Sequence, residues 1–304
     1  MKVLVTGARG FIGAGVVRAA HDQGHEVVAV DHSADGRRLP DGVEAVVGDI
    51  TRPQEWESVF AGADAVVHCA AVHRPTEIAE GTVRSIEVNL RGTRLMLEAA
   101  VRAGVRRFVH LSSAKAYGEP LGFPSHEQDL VNPVESYGLA KAVTEDYCRF
   151  FSANSKMRCI SLRPFSVYGP GQDFNTGYIG QLLEAWTGGG AVLLSGHAGF
   201  VRDFVHVDDV VDISLAAAAR DHPFDVVNVG SGEATTLAEL VELFDSLAGV
   251  DLDVRFKPAA GGTIERTLAD LERQNAVLGR SPILLAEGLR GTVEAHRPAE
   301  VTSA

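Results

Sequence analysis

The segment Thr6-Gly7-Ala8-Arg9-Gly10-Phe11-Ile12-Gly13 constrains this chain more tightly than any other stretch. It follows an apolar run over residues 2–6 and opens a run with helical periodicity over residues 11–23. Glycines at the spacing G-x-x-G-x-x-G allow a tight turn and let backbone N–H groups approach a pyrophosphate at the positive end of a helix. Taken alone, such a turn also suits an ordinary strand-to-helix loop; the strand before it and the amphipathic helix after it give it weight. The same rhythm continues beyond it. Valine-rich stretches at 2–6, 26–31, 45–48, 65–70, 107–112 and 158–164 are mostly apolar on both faces, as strands of a covered parallel sheet must be. Helices are predicted between them over 11–23, 56–60, 86–103 and 133–151, with Gly24 and Gly104 closing two. Repeated β-α-β order with short loops predicts an α/β fold with a doubly wound parallel sheet.

With 304 residues the chain can hold one large α/β domain or a nucleotide domain with a smaller lobe. Residues 1–164 are expected to form a Rossmann dinucleotide-binding domain. After Arg163 the pattern becomes glycine-rich and mixed, with a helix near 178–187. A strand and helix over 204–220 read as a return to the first domain, about 202–222. Residues 165–304 are otherwise expected to build a smaller, interleaved α/β substrate lobe. Its predicted elements are a strand at 225–229, a helix at 237–247, a strand at 253–257 and a helix at 268–278, with a frayed tail from about His296.

Charge narrows the partners. Twenty-eight basic against 40 acidic residues leave a formal charge of −12, which disfavours nucleic acid and anionic membrane surfaces. A locally basic pocket for a small anion stays compatible with that balance. No apolar run reaches membrane-spanning length, and the chain opens directly on a strand rather than on a leader. Cys69, Cys148 and Cys159 are odd in number and lack metal-ligand spacing, so they read as reduced thiols of a cytoplasmic protein.

Three strand ends carry the cofactor expectation. Asp31 ends the second strand, where a carboxylate can bind the adenine-side ribose hydroxyls and repel a 2′-phosphate, selecting NAD over NADP. Arg37 and Arg38 lie close enough in sequence to offset that selection. Asp49-Ile50 follows the third strand, where a carboxylate could meet the adenine amine. Ala70-Ala71 follows the fourth, where small side chains let a cofactor lie close to the sheet. Asp31 has a plain alternative as a solvated loop aspartate, and the other two as strand termini.

The chemistry is expected from three other residues. Tyr137 and Lys141 are four apart on a predicted helix and so share a face. A phenol ionises near pH ~10, and a neighbouring ammonium with a positive nicotinamide would lower that value. The phenol could then take a proton from a substrate alcohol while hydride leaves the same carbon. Ser112-Ser113 ends the preceding strand, at the same sheet edge, where a hydroxyl could hold the substrate oxygen. A Tyr–Lys pair is common by chance, and a serine there could be a helix cap; the ordered set after a phosphate-binding turn is the stronger signal.

With these residues in view, the chain resembles the extended short-chain dehydrogenase/reductase family, in its sugar-nucleotide epimerase/dehydratase branch. The resemblance spans nearly the whole length. It rests on the glycine turn, Asn89-Leu90-Arg91-Gly92-Thr93, Leu111-Ser112-Ser113-Ala114-Lys115-Ala116-Tyr117-Gly118 and Tyr137-Gly138-Leu139-Ala140-Lys141. It continues through Leu162-Arg163-Pro164-Phe165-Ser166-Val167-Tyr168-Gly169-Pro170, the run from Arg202 through Val210, and Asn228-Val229-Gly230-Ser231-Gly232. The resemblance implies Ser113 as the catalytic Ser/Thr, Tyr137 as acid/base and Lys141 as its partner, with Lys141 also holding the nicotinamide ribose. It implies NAD bound by Gly7, Gly10, Phe11, Ile12, Gly13, Asp31, Asp49, Ile50, Ala70, Ala71, Lys141 and Pro164. Ser113, Tyr137, Ser166 and Arg202 would meet a nucleotide sugar, Arg202 through its diphosphate. No metal is implied. The helices at 86–103 and 133–151 resemble the pair through which the family forms homodimers, with Val134, Ala142, Val143, Phe150 and Phe151 as apolar contacts or, alternatively, sheet cover.

Departures from the family pattern select the reaction. Dehydratases of the branch place Asp-Glu after the catalytic threonine, and decarboxylases use a glutamate where Lys115 stands; this chain has Ala114-Lys115. What remains is oxidation and reduction at one carbon. The expected activity is epimerisation at C4 of a UDP-hexose or UDP-hexuronate through a 4-keto intermediate. The rival is NAD(P)H-dependent reduction of a 4-keto-6-deoxy nucleotide sugar or other ketone; a non-catalytic cofactor-binding regulator should lack the serine–tyrosine–lysine set. Ser166 replaces a frequent asparagine, and Ala260 a frequent second diphosphate arginine for which Arg255, Lys257 or Arg266 could substitute. His73 and Arg74 follow the fourth strand, near the substrate or in a surface loop. His68 reads as a core histidine, and His206, Asp208 and Asp209 as structural rather than metal-binding.

Overall fold

The computed structural model describes residues 1–72, 82–174, 176–221, 225–259 and 264–297. Seven parallel strands make the main sheet: β1 (Lys2–Thr6), β2 (Glu26–Asp31), β3 (Glu44–Val47), β4 (Ala65–His68), β5 (Arg107–Leu111), β6 (Arg158–Pro164) and one later strand. Their order is β3-β2-β1-β4-β5-β6 followed by that later strand. The order reverses between β1 and β4, which opens a crevice at the carboxyl edge of the sheet.

Strand alternation decides what covers each face. Val3 and Val5 of β1 join Val16, Val17 and Ala20 of α1 (Phe11–Asp22) in one core layer. Leu4 points the other way, into a layer with Val28, Val66, Phe108, Met96 and Leu97. Met96 and Leu97 come from α2 (Thr93–Arg102), and this second layer is closed by Cys148 of α3 (Ser136–Asn154). The apolar runs are apolar on both faces because both faces are buried.

The chain then builds a smaller unit from β7 (Ser166–Tyr168), α4 (Gly177–Gly188), β8 (Val192–Ser195) and β9 (Val201–His206). After α5 (Val207–Ala219) come β10 (Asp225–Val229), β11 (Ala234–Thr236), α6 (Leu237–Ala248), β12 (Val254–Lys257), α7 (Glu272–Leu278) and α8 (Leu285–His296). Strands β11-β9-β7 form a three-stranded sheet, and β8 pairs with β12. Tyr168, Leu182, Leu194, Phe200, Phe244 and Leu289 pack into a separate core there.

The interleaving differs from the expected division. Residues 225–229, expected in the second lobe, form β10, which pairs with β6 as the edge of the main sheet. The returning segment is the helix alone: α5 packs on α1, so closely that a Cβ on Gly15 would lie 2.7 Å from Val211. The strand before it, β9, belongs to the small sheet.

Several element boundaries also move, each for a local reason. The helix expected at 56–60 is a pair of 3₁₀ turns, Pro53–Glu55 and Glu57–Phe60. The one expected at 86–103 begins as a turn at Thr82–Ser85, widens into a π-helical turn over Ile86–Gly92 and tightens into α2. The one expected from 133 starts at Ser136, because Glu135 is extended. The one expected from 268 starts at Glu272, because Ala269 bridges Ser125. Residues 298–304 of the expected frayed tail lie outside the described residues.

Candidate active site

A cavity of about 2100 Å³ runs along the carboxyl edge of the main sheet and into the smaller unit. Five strand-end segments supply its floor: the glycine turn after β1, Asp31, Gly48–Ile50, Cys69–Val72 and Leu111–Ala114. The turn fits a pyrophosphate on steric grounds. Gly7 has φ +65°, and a Cβ there would stand 2.8 Å from the Ala70 backbone. A Cβ on Gly13 would stand 2.0 Å from the Gly7 carbonyl oxygen. No side chain caps α1, and its first turn carries no acidic residue, so its opening amides suit an external anion.

Asp31 is nearly buried and accepts a hydrogen bond from the Arg9 backbone N–H at 2.8 Å, while His32 Nδ1 lies 2.9 Å from its other oxygen. The two nearby arginines are both engaged elsewhere. Arg37 donates to the Gly171 carbonyl at 2.5 Å and to Asp173 at 3.1 Å, with its guanidinium 5.4 Å from the Phe11 ring centroid. Arg38 pairs with Asp41 at the surface. A carboxylate without a committed arginine beside it favours ribose hydroxyls over a 2′-phosphate.

Asp49 is exposed and accepts from the Thr51 N–H at 2.8 Å and the Thr51 hydroxyl at 2.9 Å, while the Trp56 indole fixes its carbonyl at 3.0 Å. The Ala70-Ala71 loop is pinned by Asn89, which bonds both the Val72 N–H (2.7 Å) and the Val72 carbonyl (2.8 Å). Asn89 sits in the π-helical turn. Its spacing from Val72 carried no signal in the sequence, so this anchoring role was not anticipated.

At the other end of the cavity, Ser113 is buried in extended backbone, and its Oγ accepts from the Lys115 N–H at 3.2 Å. Tyr137 and Lys141 lie on one face of α3, with the ammonium 5.6 Å from the phenol ring centroid. Lys141 is buried and donates to the Leu111 carbonyl at 2.5 Å. Burial lowers its pKa to about 8, against the raising influence of the Glu145 carboxylate. Burial, with the Glu135 carboxylate, pushes the Tyr137 phenol above its ordinary value. Glu135 is balanced by Lys115, whose ammonium is 2.7 Å from it and 5.8 Å from the Tyr137 ring. Nothing local in the sequence marks Lys115 as a neighbour of the phenol, because only the fold brings residue 115 to residues 135 and 137.

In the smaller unit Arg202 is 8% exposed and lines the same cavity. Its guanidinium donates to the carbonyls of Val201 (2.8 Å), Glu265 (3.0 Å) and Ile264 (2.7 Å) and lies 5.4 Å from the Tyr178 ring centroid and 5.3 Å from that of Phe200. Ser166, Pro164 and Lys257 line the cavity too. Arg255 instead pairs with Asp253 at the surface, and Arg266 lies over Phe123. His73, Arg74 and Ala260 lie outside the described residues.

His68 and His206 have structural bonds. His68 is buried between the Thr6 and Thr93 hydroxyls at 2.7 and 3.0 Å, and burial lowers its pKa to about 3. His206 caps α5 by accepting from the Asp208 N–H, and Asp209 pairs with Arg280. Among the described residues no group of three or more His, Cys, Asp or Glu side chains could hold a metal ion, and no helix is long and apolar enough to cross a membrane.

Known proteins resemble this chain over nearly its whole length. The chain is 33% identical to the UDP-glucose 4-epimerase of Mycolicibacterium smegmatis, over 98% of this chain and 99% of that protein. It superposes on the UDP-glucose 4-epimerase of Thermotoga maritima, solved with UDP-glucose, with a TM-score of 0.92 at 32% identity, covering 98% and 99% of the two chains. It superposes on MoeE5 in complex with UDP-glucuronic acid and NAD with a TM-score of 0.89 at 33% identity, again over 98% and 99%. Residues 3–230 match the model of the NAD dependent epimerase/dehydratase family. A glycine turn shaped for pyrophosphate, a parallel sheet reversing beside it and a match over most of the length agree: the chain belongs to the NAD-dependent epimerase/dehydratase family and is an NAD-dependent enzyme of the extended short-chain dehydrogenase/reductases.

Proposed function

We propose that the enzyme inverts C4 of a UDP-hexose or UDP-hexuronate through a 4-keto intermediate. The reading is carried by one observation: the cavity joins the glycine turn, the Ser113–Tyr137–Lys141 set and a buried arginine, Arg202, whose hydrogen bonds go to backbone carbonyls and the Tyr178 hydroxyl rather than to a carboxylate among the described residues. A buried cation without an anionic partner is costly, and an anion entering beside it relieves that cost. A diphosphate is such an anion, and Arg202 offers it a planar donor.

NAD, held at the glycine turn, supplies the capacity to accept a hydride and return it. Tyr137 removes the proton of the C4 hydroxyl as the carbon is oxidised to a ketone, and Lys141 favours the phenolate that does so. Ser113 holds the C4 oxygen. After the sugar turns within the cavity, the carbon is reduced on its other face and Tyr137 gives the proton back. The Asp-Glu pair of the branch's dehydratases is absent, and Glu135, the carboxylate beside Tyr137, is neutralised by Lys115. Both facts favour a reaction confined to one carbon.

The test is incubation of the purified holoenzyme with UDP- and dTDP-sugars, following epimers by NMR. Epimer formation without consumption of added NADH supports the reading; NADH-dependent reduction of a ketone with every sugar unchanged overturns it. Arg202→Met is expected to raise KM for the productive sugar by roughly 30-fold or more, with a smaller change in kcat. An unchanged KM would remove Arg202 from diphosphate binding.

A homodimer is also proposed. Val83 (75% exposed), Leu139 (54%) and Phe150 (58%) leave apolar side chains in water on the helical layer of the 82–102 segment and α3. Val134 is exposed as well, whereas Ala142 and Val143 are half-buried and Phe151 packs inward against the core. Light scattering after size exclusion should give twice the 32.3 kDa chain mass. Phe150→Lys should move it toward one chain.

A further inference from the structure

We propose that Glu145 is a positioning residue for the chemical site: from one turn beyond Lys141 it holds the strand end that presents Ser113 and to which Lys141 is bonded. This rests on the reading of Ser113, Tyr137 and Lys141 as the chemical set.

Tyr137, Lys141 and Glu145 stand four apart on α3 and share a face. Two of them grip consecutive residues at the end of β5. Lys141 donates to the Leu111 carbonyl at 2.5 Å, and Glu145 Oε1 accepts from the Ser112 hydroxyl at 2.5 Å. The Ser112 N–H is bonded to the Leu162 carbonyl at 2.7 Å, so the residue before Ser113 is fixed from two sides. Arg163 of β6 then locks the carboxylate in a paired geometry, Nε to Oε1 at 2.9 Å and Nη2 to Oε2 at 2.6 Å. Arg163 is itself seated on the Tyr117 ring at 4.5 Å, and Tyr117 donates to Asn228 at 2.7 Å. Ser112, Glu145 and Arg163 are each under 5% exposed.

Burying an ion pair costs desolvation that its attraction offsets only in good geometry, so such a pair is weak evidence for stability by itself. Its place, between the catalytic serine's strand and the catalytic helix, gives it a second effect. Tyr137 and Cys148 face Lys141 from its own helix, His68 and Cys69 from β4 and the loop after it, and His110 from β5. The two thiols are pushed up by burial and the two histidines down, so all four are neutral at ordinary pH. Glu145 is the carboxylate acting on Lys141 from the helix itself, and it favours the ammonium that burial opposes.

The chain has five lysines, so the ammonium can be followed directly by the ¹³Cε shift of lysine-labelled holoenzyme. In the wild type the Lys141 midpoint is expected near 8. In Glu145→Gln it should fall by about one pH unit. The alkaline limb of kcat should fall with it, because the ammonium is then lost at lower pH. At neutral pH kcat should drop about 10–100-fold while the sugar KM stays within a few fold, since displacement of the serine and phenol affects chemistry more than binding. Glu145→Asp should restore the midpoint and the limb. Glu145→Gln leaves Arg163 buried without its partner and risks misfolding; the double variant Glu145→Met/Arg163→Met, which replaces the pair by apolar side chains, should fold and show the same loss of kcat, with a smaller shift of the Lys141 midpoint because the guanidinium leaves with the carboxylate. A wild-type kcat in the folded double variant, or a wild-type midpoint in folded Glu145→Gln, overturns the proposal. Lack of turnover of every sugar by the wild type would overturn the proposed reaction instead, and the lysine titration would still decide this inference.

Discussion

Tyr137→Phe is expected to lower kcat by roughly 10²–10⁴-fold, with NAD still bound and the fold unchanged. The substitution removes one oxygen and keeps the ring, which lies 5.6 Å from the Lys141 ammonium and 5.8 Å from that of Lys115. Neither lysine depends on the hydroxyl for its anchoring: Lys141 bonds the Leu111 carbonyl and Lys115 the Glu135 carboxylate. The loss should therefore fall on proton transfer. Without the phenolic oxygen, no group at that place can take the alcohol proton as the carbon is oxidised. Steady-state kcat on the productive sugar, with the NAD content of the purified protein, checks both halves of the expectation. Turnover within a few fold of wild type would remove Tyr137 from the mechanism.

The pH dependence of the wild type has a definite sign. The proton-accepting form of Tyr137 is the phenolate, and burial with Glu135 opposes it. Activity should therefore rise with pH on the acid limb, at a position set by how far the bound positive nicotinamide and Lys141 counter that burial. Lys141, lowered to about 8 by burial, limits the alkaline side because its ammonium is lost there. Stability has the opposite slope for the same residue. A lysine whose folded value lies below its unfolded one binds fewer protons when folded, so its contribution to stability improves as pH rises from about 8 toward the ordinary lysine range.

The main sheet was legible because its signal is local and repeated. Valine runs buried on both faces, helices closed by glycines and a turn before an amphipathic helix can each be read within a few residues. The smaller unit was harder for a physical reason. Helix α8 carries Gly288 where a Cβ would lie 2.3 Å from the Tyr168 hydroxyl, so a contact across more than a hundred residues fixes a residue that weakens the helical pattern. Likewise 225–229 read as a strand from its own composition, but nothing local says which sheet it joins. The site divides in the same way. Gly7, Gly13, Asp31, Tyr137 and Lys141 stand at spacings a sequence displays. Asn89, Glu135 and Glu145 act through partners 17 to 33 positions away or through a side chain the fold alone brings near.

Gly13→Ala is expected to cost the enzyme its cofactor before it costs the fold. A Cβ at residue 13 would stand 2.0 Å from the Gly7 carbonyl oxygen, 2.8 Å from the Gly7 carbonyl carbon and 3.2 Å from the Ala8 Cα. All three are backbone atoms, so no rotamer change can relieve the overlap. The turn cannot retreat easily, because the Gly10 N–H bonds the Gly7 carbonyl at 3.0 Å and the Ala8 N–H bonds the Val30 carbonyl at 3.2 Å. The remaining movement shifts α1 relative to β1 and to α5, which packs beside it on the same face of the sheet. Overpacking of this kind costs about 1–3 kcal/mol. The displaced atoms are those whose amides would meet the pyrophosphate, and about 3 kcal/mol lost from that contact corresponds to roughly a hundredfold weaker NAD binding. Calorimetric titration of NAD into stripped protein, beside thermal unfolding of the same sample, separates the two effects. A variant that unfolds a little earlier yet binds NAD as tightly as wild type would show that this turn does not carry the pyrophosphate.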